Sequence, residues 1–177
     1  MQRFFATLFV LIISPLLLLT LIAVWLWDRD VPVFIQERIG LDKETFLVYK
    51  IRTMRDNKIT GIGRVLRKTG IDELPQLFNI MKGEMNFVGP RPLTEADIVR
   101  LKWDSVNHEL RWSVRPGITG IAQLVNVCDA QVSWDCDMEY IKTRSVKTDL
   151  TILWKSFLVP IIGKQKTKQF IHKSSTS

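Results

Sequence analysis

The first feature along the chain is a long apolar run that carries no charge. Of the 24 positions from 4 to 27, 20 are apolar, and the basic residue Arg3 precedes the run. A helix over these positions is about 36 Å long at about 1.5 Å per residue, which exceeds the roughly 30 Å hydrocarbon core of a bilayer. The pattern therefore predicts a membrane helix over residues 1–27.

Ser14 and Pro15 lie near the middle of this run. Proline removes one backbone hydrogen bond and clashes with the preceding turn, so we expect a kink at this point. The Ser14 hydroxyl can bond a backbone group that proline frees, which matters where no water is available. The residues leave two topologies open: a kinked helix that spans the membrane, or one that bends back and leaves by the face it entered.

A cleaved signal peptide is the alternative interpretation of the run. Its apolar region is usually about 7 to 15 residues long, with basic residues before it and a small-residue cleavage site after it. Here the run is longer and ends at Trp25-Leu26-Trp27, an aromatic pair that is typical of an interfacial anchor. The excess of Lys and Arg just after the run predicts that the polar remainder lies in the cytoplasm.

The polar remainder of the chain contains shorter patterns that predict individual strands and helices. Alternating apolar positions predict extended segments over 28–40 and 46–52, and a polar loop is predicted over 56–60. A helix with apolar residues at spacings of three and four begins near Ile62, and Gly70 interrupts it.

The clearest helix signal begins at Asp72. We predict Asp72 as its N-cap, Pro75 in its first turn and Gly83 as its C-terminal stop. Segments rich in proline and glycine are predicted to be irregular, at 84–93 and 115–120. Further helices are predicted over 94–112, 134–143 and 147–158, and the last is apolar enough to lie in a membrane interface.

Composition narrows the protein class. The chain has 177 residues, 46% of them hydrophobic, and a net charge of +7. These numbers suit one medium domain and exclude full disorder, a collagen-like chain and a polytopic transporter. Aromatic residues do not interleave the basic ones, so nucleic acid is not an expected partner. We expect an α+β, mainly helical fold class, with a membrane helix at 1–27, a cytoplasmic domain at 28–163 and a basic flexible tail at 164–177.

The candidate chemistry centres on the adjacent acids Asp72 and Glu73, which follow Arg64, Arg67 and Lys68. One interpretation is that the acids only cap a helix and interact with its dipole. The other is that positive charge and a helix terminus meet at two carboxylates, as a site for a phosphorylated ligand requires. The same positive charge is expected to keep Asp72 ionised, and an ionised carboxylate can attack phosphorus.

Repulsion between a carboxylate and a diphosphate opposes that attack, and a divalent cation would offset it. Mg²⁺ is usually held by one or two carboxylates together with substrate phosphates, so it suits this set better than zinc. Guanidinium groups at Arg52, Arg91 and Arg115 can clamp phosphate oxygens, or alternatively serve as solvated surface groups.

Five segments, taken in order and spacing, resemble the bacterial sugar transferase family, the monotopic phosphoglycosyl transferases. They are PVFIQERIG (32–40), YKIRTM (49–54), LRKTGIDELPQL (66–77), GEMNFVGPRPL (83–93) and RPGITG (115–120). The resemblance extends from about residue 3 to residue 158, and the length is similar to that of the minimal catalytic members.

The resemblance implies transfer of a phospho-sugar from a UDP-sugar to a polyprenol phosphate such as undecaprenyl phosphate. UMP is released, and the product starts glycan assembly, as for exopolysaccharide or O-antigen, on the cytoplasmic face of the bacterial inner membrane. The family's nucleophile matches Asp72, which also holds Mg²⁺, and Glu73 completes the dyad. The helix with Ser14-Pro15 is re-entrant in the family. Substrate contacts are implied at Arg52, Thr53, Arg67, Lys68, Arg91 and Arg115.

The chain departs from the family pattern in four places. The N-terminal basic pair and following aspartate are here Gln2-Arg3 and Ala6, the loop after Met54 is shortened, and Thr69-Gly70 replaces Thr-Ser. An Asn-Gly-Arg-Asn motif is replaced by residues 124–129, which contain no arginine.

The loss of this arginine supports an alternative function: a homologue without activity that binds polyprenol phosphate or a partner transferase as a scaffold. Other expected partners are membrane lipids, a second copy of the chain or downstream glycosyltransferases.

Overall fold

The computed structural model describes residues 2–125 and 129–162, with side chains described up to residue 158. The chain forms two compact units. The first comprises Met1–Glu37 and Leu47–Glu84, and the second comprises Arg38–Phe46 and Met85–Ser177. Two predicted features lie outside the described residues. One is the tail at 164–177, and the other is residues 126–128 of the segment that replaces the family's Asn-Gly-Arg-Asn motif.

The apolar run forms one continuous helix, α1 (Gln2–Asp28), with Pro15 inside it. One side of α1 is buried at spacings of three and four residues, and this side carries Ala6, Val10, Leu17, Thr20, Val24 and Asp28. The remaining sides are apolar and exposed. Within residues 2–125 and 129–162, α1 is the one helix that is long and apolar enough to cross a membrane.

Short elements follow α1, and they confirm the predicted strands at 28–40 and 46–52. The predicted loop at 56–60 contains a small hairpin, because Asp56 and Asn57 adopt left-handed φ values of 49° and 61° that make a tight two-residue turn. The elements are β1 (Val33–Ile39), β2 (Thr45–Ile51), β3 (Met54–Arg55), β4 (Lys58–Ile59), α2 (Gly61–Thr69), a 3-10 segment (Ile71–Gln76) and α3 (Leu77–Lys82). β1 pairs with β2, and β3 pairs with β4 in antiparallel fashion.

The core of the first unit joins α1 to β2 and α2. Its buried members are Leu17, Val24, Ile51 and Leu66, and α1 also packs along α3. A side chain at Gly63 would collide with the backbone of Thr53, so glycine allows α2 to approach the end of β2 closely. This approach places residues of α2 beside those that follow β2.

The second unit is built on two parallel strands, β5 (Asn86–Val88) and β6 (Gly117–Thr119). These strands lie in the segments 84–93 and 115–120, which were predicted to be irregular. The prediction was wrong because each strand is three residues long and pairs with a partner about 30 residues away, which leaves no local pattern. The helices of this unit are α4 (Glu95–Leu101), α5 (Ile121–Val125), α6 (Ala130–Thr143) and α7 (Val146–Ile162).

The predicted single helix over 94–112 is also wrong. α4 ends where Lys102 takes a left-handed φ of 60°, and a 3-10 segment (Val106–Ser113) follows. Trp103 and Trp112 are both buried in one cluster with Leu93. Positions nine apart on a straight α-helix point in nearly opposite directions, at about 100° per residue. Burying both tryptophans in the same cluster therefore requires a break between them.

The last two helices confirm the predictions and extend them. α6 begins at Ala130, before the predicted start at 134, because the Asp129 carboxylate accepts a hydrogen bond from the Val132 amide and caps the helix. α7 covers the predicted range 147–158 and continues to Ile162.

Candidate active site

Asp72 and Glu73 lie inside the 3-10 segment Ile71–Gln76 rather than at the start of an α-helix. Gly70 ends α2 with a left-handed φ of 75°, and the Glu73 amide donates to the Gly70 carbonyl three residues back. The turn therefore begins before Asp72. The predicted N-cap role of Asp72 is wrong, and the α-helical residues that follow begin at Leu77. Gly83 ends them as predicted, with a φ of 85°.

Lys50 contacts the dyad from β2. Its Nζ lies 2.7 Å from Glu73 Oε1, and both side chains are partly buried. Sequence reasoning missed Lys50, although a signal was present. Lys50 lies on β2 within the YKIRTM segment (49–54), two positions before the candidate Arg52, which directly follows the strand.

Burial and the neighbouring Glu73 carboxylate raise the pKa of Asp72 above 3.8. Lys50, a backbone hydrogen bond and Arg67 act in the opposite direction, but they do not outweigh burial and like charge. The expectation that the surrounding positive charge keeps Asp72 ionised stays a prediction. The opposing cationic contribution comes from Lys50 first and Arg67 second.

Arg67 and Thr53 meet beside the dyad. Arg67 Nε donates to Thr53 Oγ1 at 2.7 Å, which the close approach of α2 to β2 makes possible. Lys68 is exposed on the next position of α2. Arg52 turns to the segment after α1, where its Nη1 donates to Asp30 Oδ2 at 3.0 Å. The first unit thus groups Arg67 and Thr53 near the dyad and pairs Arg52 with a carboxylate.

Arg91 and Arg115 belong to the second unit, where two backbone segments meet. The Gly117 amide donates to the Pro90 carbonyl at 2.9 Å, and the Gly89 amide donates to the Thr119 carbonyl at 2.9 Å. Both arginine side chains are exposed. The parallel strand pair therefore holds the two arginine-bearing segments side by side.

Comparison with known proteins assigns the family. The chain matches the bacterial sugar transferase family over residues 1–163. The chain belongs to this family.

Three relatives show what this family member is similar to. It is 33% identical to the UDP-N-acetylgalactosamine-undecaprenyl-phosphate N-acetylgalactosaminephosphotransferase of Aeromonas hydrophila, over 85% of this chain and 40% of that protein. It is 33% identical to the UDP-glucose:undecaprenyl-phosphate glucose-1-phosphate transferase of Caulobacter vibrioides, over 85% of this chain and 64% of that protein. It is 37% identical to EpsL of Bacillus subtilis, an uncharacterized sugar transferase, over 84% of this chain and 79% of EpsL. The chain spans less than two thirds of the first two relatives.

In this bacterial sugar transferase family member, the side chains that could hold Mg²⁺ are the carboxylates of Asp72 and Glu73. No group of three or more His, Cys, Asp and Glu side chains that could hold a metal occurs in residues 2–125 and 129–162. Asp72 and Glu73 supply two adjacent carboxylates whose like charges oppose each other. Mg²⁺ commonly takes one or two carboxylates and completes its shell with phosphate oxygens and water. The dyad therefore suits Mg²⁺ that arrives with a diphosphate substrate.

The raised pKa of Asp72 gives a direct prediction for the metal-free protein. A carbon-13 NMR titration of the Asp72 carboxyl in EDTA should show an apparent pKa above 3.8. Glu73→Gln should lower this pKa because it removes a like charge, and Lys50→Met should raise it because it removes the main opposing cation. Shifts of both variants in the same direction would contradict the assigned causes.

Asp28 and Arg3 connect the two ends of α1 to the rest of the first unit. At the C-terminal end, Thr60 Oγ1 donates to Asp28 Oδ2 at 3.0 Å, and Arg55 donates to the Asp28 carbonyl at 2.9 Å. At the N-terminal end, the Arg3 guanidinium occupies the space that a side chain at Gly83 would fill. Both ends of α1 therefore contact polar segments of the same unit.

The Ser14-Pro15 pair shows the expected local chemistry. Pro15 has no amide hydrogen to offer the Leu11 carbonyl, which lies four residues earlier in α1. Ser14 Oγ donates to that carbonyl at 2.9 Å. The serine hydroxyl thus supplies the donor that proline removes.

Proposed function

We propose that the chain transfers a sugar-1-phosphate from a UDP-sugar to a polyprenol phosphate such as undecaprenyl phosphate, with release of UMP. The product would start glycan assembly at the membrane. The printed names of the Aeromonas and Caulobacter relatives describe transfers of this class. Within the chain, the proposal rests on the partly buried Asp72–Glu73 pair with Lys50 beside it.

The proposed reaction proceeds in two displacements. First, an Asp72 carboxylate oxygen forms a bond to the sugar-bearing phosphorus, and the bond from that phosphorus to the bridging oxygen breaks. UMP leaves with the bridging oxygen, and an aspartyl phospho-sugar remains. Second, a phosphate oxygen of the polyprenol phosphate attacks the same phosphorus, and the bond to Asp72 breaks. The carboxylate is thereby regenerated, and neither step changes an oxidation state.

The other site residues have binding roles in this proposal. Arg67, Lys68 and Arg52 supply positive charge for the diphosphate, and Thr53 orients Arg67 through their hydrogen bond. Arg91 and Arg115 stay predicted substrate contacts that rest on the family resemblance alone. Mg²⁺, when bound at Asp72 and the substrate phosphates, would offset the repulsion between carboxylate and diphosphate.

We further propose that α1 is re-entrant and that both of its ends face the cytoplasm. The contacts that Arg3 and Asp28 make at the two ends of α1 support this topology. α1 is about 40 Å long at about 1.5 Å per residue, yet Arg3 lies against Gly83 and Asp28 against Thr60 within one unit. In a spanning helix, one of these polar segments would have to cross the membrane. Periplasmic labelling of a cysteine placed at Gln2 would contradict re-entry.

α7 is the proposed interfacial helix of the second unit. Ile152 faces the core, whereas an exposed apolar stripe runs along another side and consists of Val146, Leu150, Trp154 and Phe157. Such a stripe suits contact with membrane lipids. A fluorophore at Phe157→Cys should be quenched by nitroxide lipids in liposomes, and absence of quenching would contradict the placement.

A donor screen tests the proposed activity. Detergent-solubilised protein is incubated with Mg²⁺, polyprenol phosphate and each member of a UDP-sugar panel, and UMP release is followed. We expect one or a few donors to give UMP in an acceptor-dependent reaction. If no donor gives UMP but polyprenol phosphate still binds, the scaffold alternative replaces the transferase.

A further inference from the structure

Lys50 lies on a strand that buried side chains hold in place. β2 carries Val48 and Ile51, which are 1% and 2% exposed. Asn79 of α3 is fully buried and bonds the strand twice: its Nδ2 donates to the Leu47 carbonyl at 2.6 Å, and its Oδ1 accepts from the Tyr49 amide at 3.3 Å. The spacing between β2 and the segment that leads into α3 is therefore set by buried contacts.

Across this spacing, the Lys50 ammonium forms an ion pair with the Glu73 carboxylate. Lys50 Nζ and Glu73 Oε1 are 2.7 Å apart, with side-chain exposures of 23% and 36%. A partly buried pair is screened less by salt than a fully exposed one. Lys50 thus restrains a carboxylate that directly follows Asp72 and whose charge opposes that of Asp72.

We propose that Lys50 is a positioning residue that acts through Glu73. This inference rests on the proposed function. The ammonium draws the Glu73 carboxylate towards β2, which leaves Asp72 room to approach the sugar-bearing phosphorus. Without Lys50, the Glu73 carboxylate is free to rotate towards Asp72, and the repulsion between the two anions displaces the nucleophile. A misplacement of this kind slows the chemical step while substrate contacts are kept.

The test is a double-mutant cycle on UMP release with Lys50→Met, Glu73→Gln and the combination. Misplacing a reacting group by about 1 Å can cost about 100-fold in rate. We expect Lys50→Met to lower kcat by about that factor with KM for the UDP-sugar unchanged, and Lys50→Arg to recover most of kcat. If Lys50 acts through Glu73, the combined variant is no slower than the slower single variant.

A lysine away from the site supplies the matched control. Lys142 is exposed on α6, and Lys142→Met should leave both kcat and KM unchanged. Thermal unfolding of each variant separates misfolding from a slow chemical step, and Lys50→Arg keeps the inference falsifiable if Lys50→Met unfolds.

The outcomes separate this inference from the function it rests on. A wild-type protein that releases no UMP from any donor overturns both. An active wild type with an equally active Lys50→Met variant overturns the role of Lys50 alone. Additive losses in the cycle would show that Lys50 acts independently of Glu73, and a change confined to KM would show a role in substrate binding. Either result would overturn action through Glu73.

Discussion

Asp72→Asn is expected to reduce UMP release by at least about 10³-fold, since loss of a covalent nucleophile typically has an effect of this order or larger. The asparagine amide has nearly the shape of the carboxylate but cannot attack phosphorus. The structure also predicts that the variant keeps its fold. Burial and Glu73 raise the pKa of Asp72, so at neutral pH the ionised group is less favourable in the folded chain than in the unfolded one. Removing that charge should leave the unfolding temperature unchanged or slightly higher.

Two measurements check this prediction. The first is UMP release by wild type and Asp72→Asn with a donor identified in the screen. The second is intact mass after incubation with that donor without acceptor, where the wild type should gain one phospho-sugar and the variant none. Asp56→Asn is the matched control because Asp56 is highly exposed in the β3–β4 turn. A fully active Asp72→Asn, or an adduct on it, would overturn the covalent mechanism.

Arg111→Met is expected to cause the largest loss of stability among single changes in the second unit. Arg111 and Asp137 form an ion pair at 2.8 Å with side chains only 3% and 4% exposed. The guanidinium also lies over the rings of Trp103 and Trp112 and donates to the Arg91 carbonyl at 2.6 Å. Removing Arg111 leaves the Asp137 carboxylate buried and unpaired, which costs about 3–5 kcal/mol.

A decrease of this size lowers the unfolding temperature by about 6–20 °C for a domain of this length. It can be followed by the tryptophan fluorescence of the purified protein. The combined variant Arg111→Met/Asp137→Leu should recover much of the loss, because a buried ion pair can be replaced by apolar groups without a large penalty. An Arg111→Met protein as stable as wild type would show that the pair is not shielded as described.

The Arg111 pair also contacts the segment that carries Arg91. Its hydrogen bond to the Arg91 carbonyl ties the core of the second unit to the segment that presents Arg91. Neither Arg111 nor Asp137 was a candidate in the sequence. Both are charged residues in otherwise amphipathic stretches, and charges in such stretches are usually solvated. Their 26-residue separation carries no local signal of pairing.

The elements that sequence patterns predicted well depend on local chemistry. The 20 apolar positions between 4 and 27 indicate α1 without any knowledge of the remainder. Gly70 and Gly83 end their helices in left-handed conformations that favour glycine. The Ser14 hydroxyl supplies, within a single turn, the hydrogen-bond donor that Pro15 lacks. Each of these features is decided by residues fewer than five positions apart or by one continuous run.

The elements that the patterns missed depend on distant partners. β5 and β6 exist because they pair with each other, and the break after α4 exists because Trp103 and Trp112 enter one cluster. The start of α6 is the exception, since the Asp129 cap was a local signal that was overlooked.

The sequence by itself determined the family, the apolar helix and the identity of the Asp72–Glu73 pair, because motifs and apolar runs are properties of neighbouring residues. Only the tertiary structure decided what surrounds that pair. In this structure Lys50 forms an ion pair with Glu73, Arg52 donates to Asp30 and Arg67 donates to Thr53. It also showed that burial and Glu73 raise the pKa of Asp72, because burial and the distances between charges are set by packing among residues far apart in the chain.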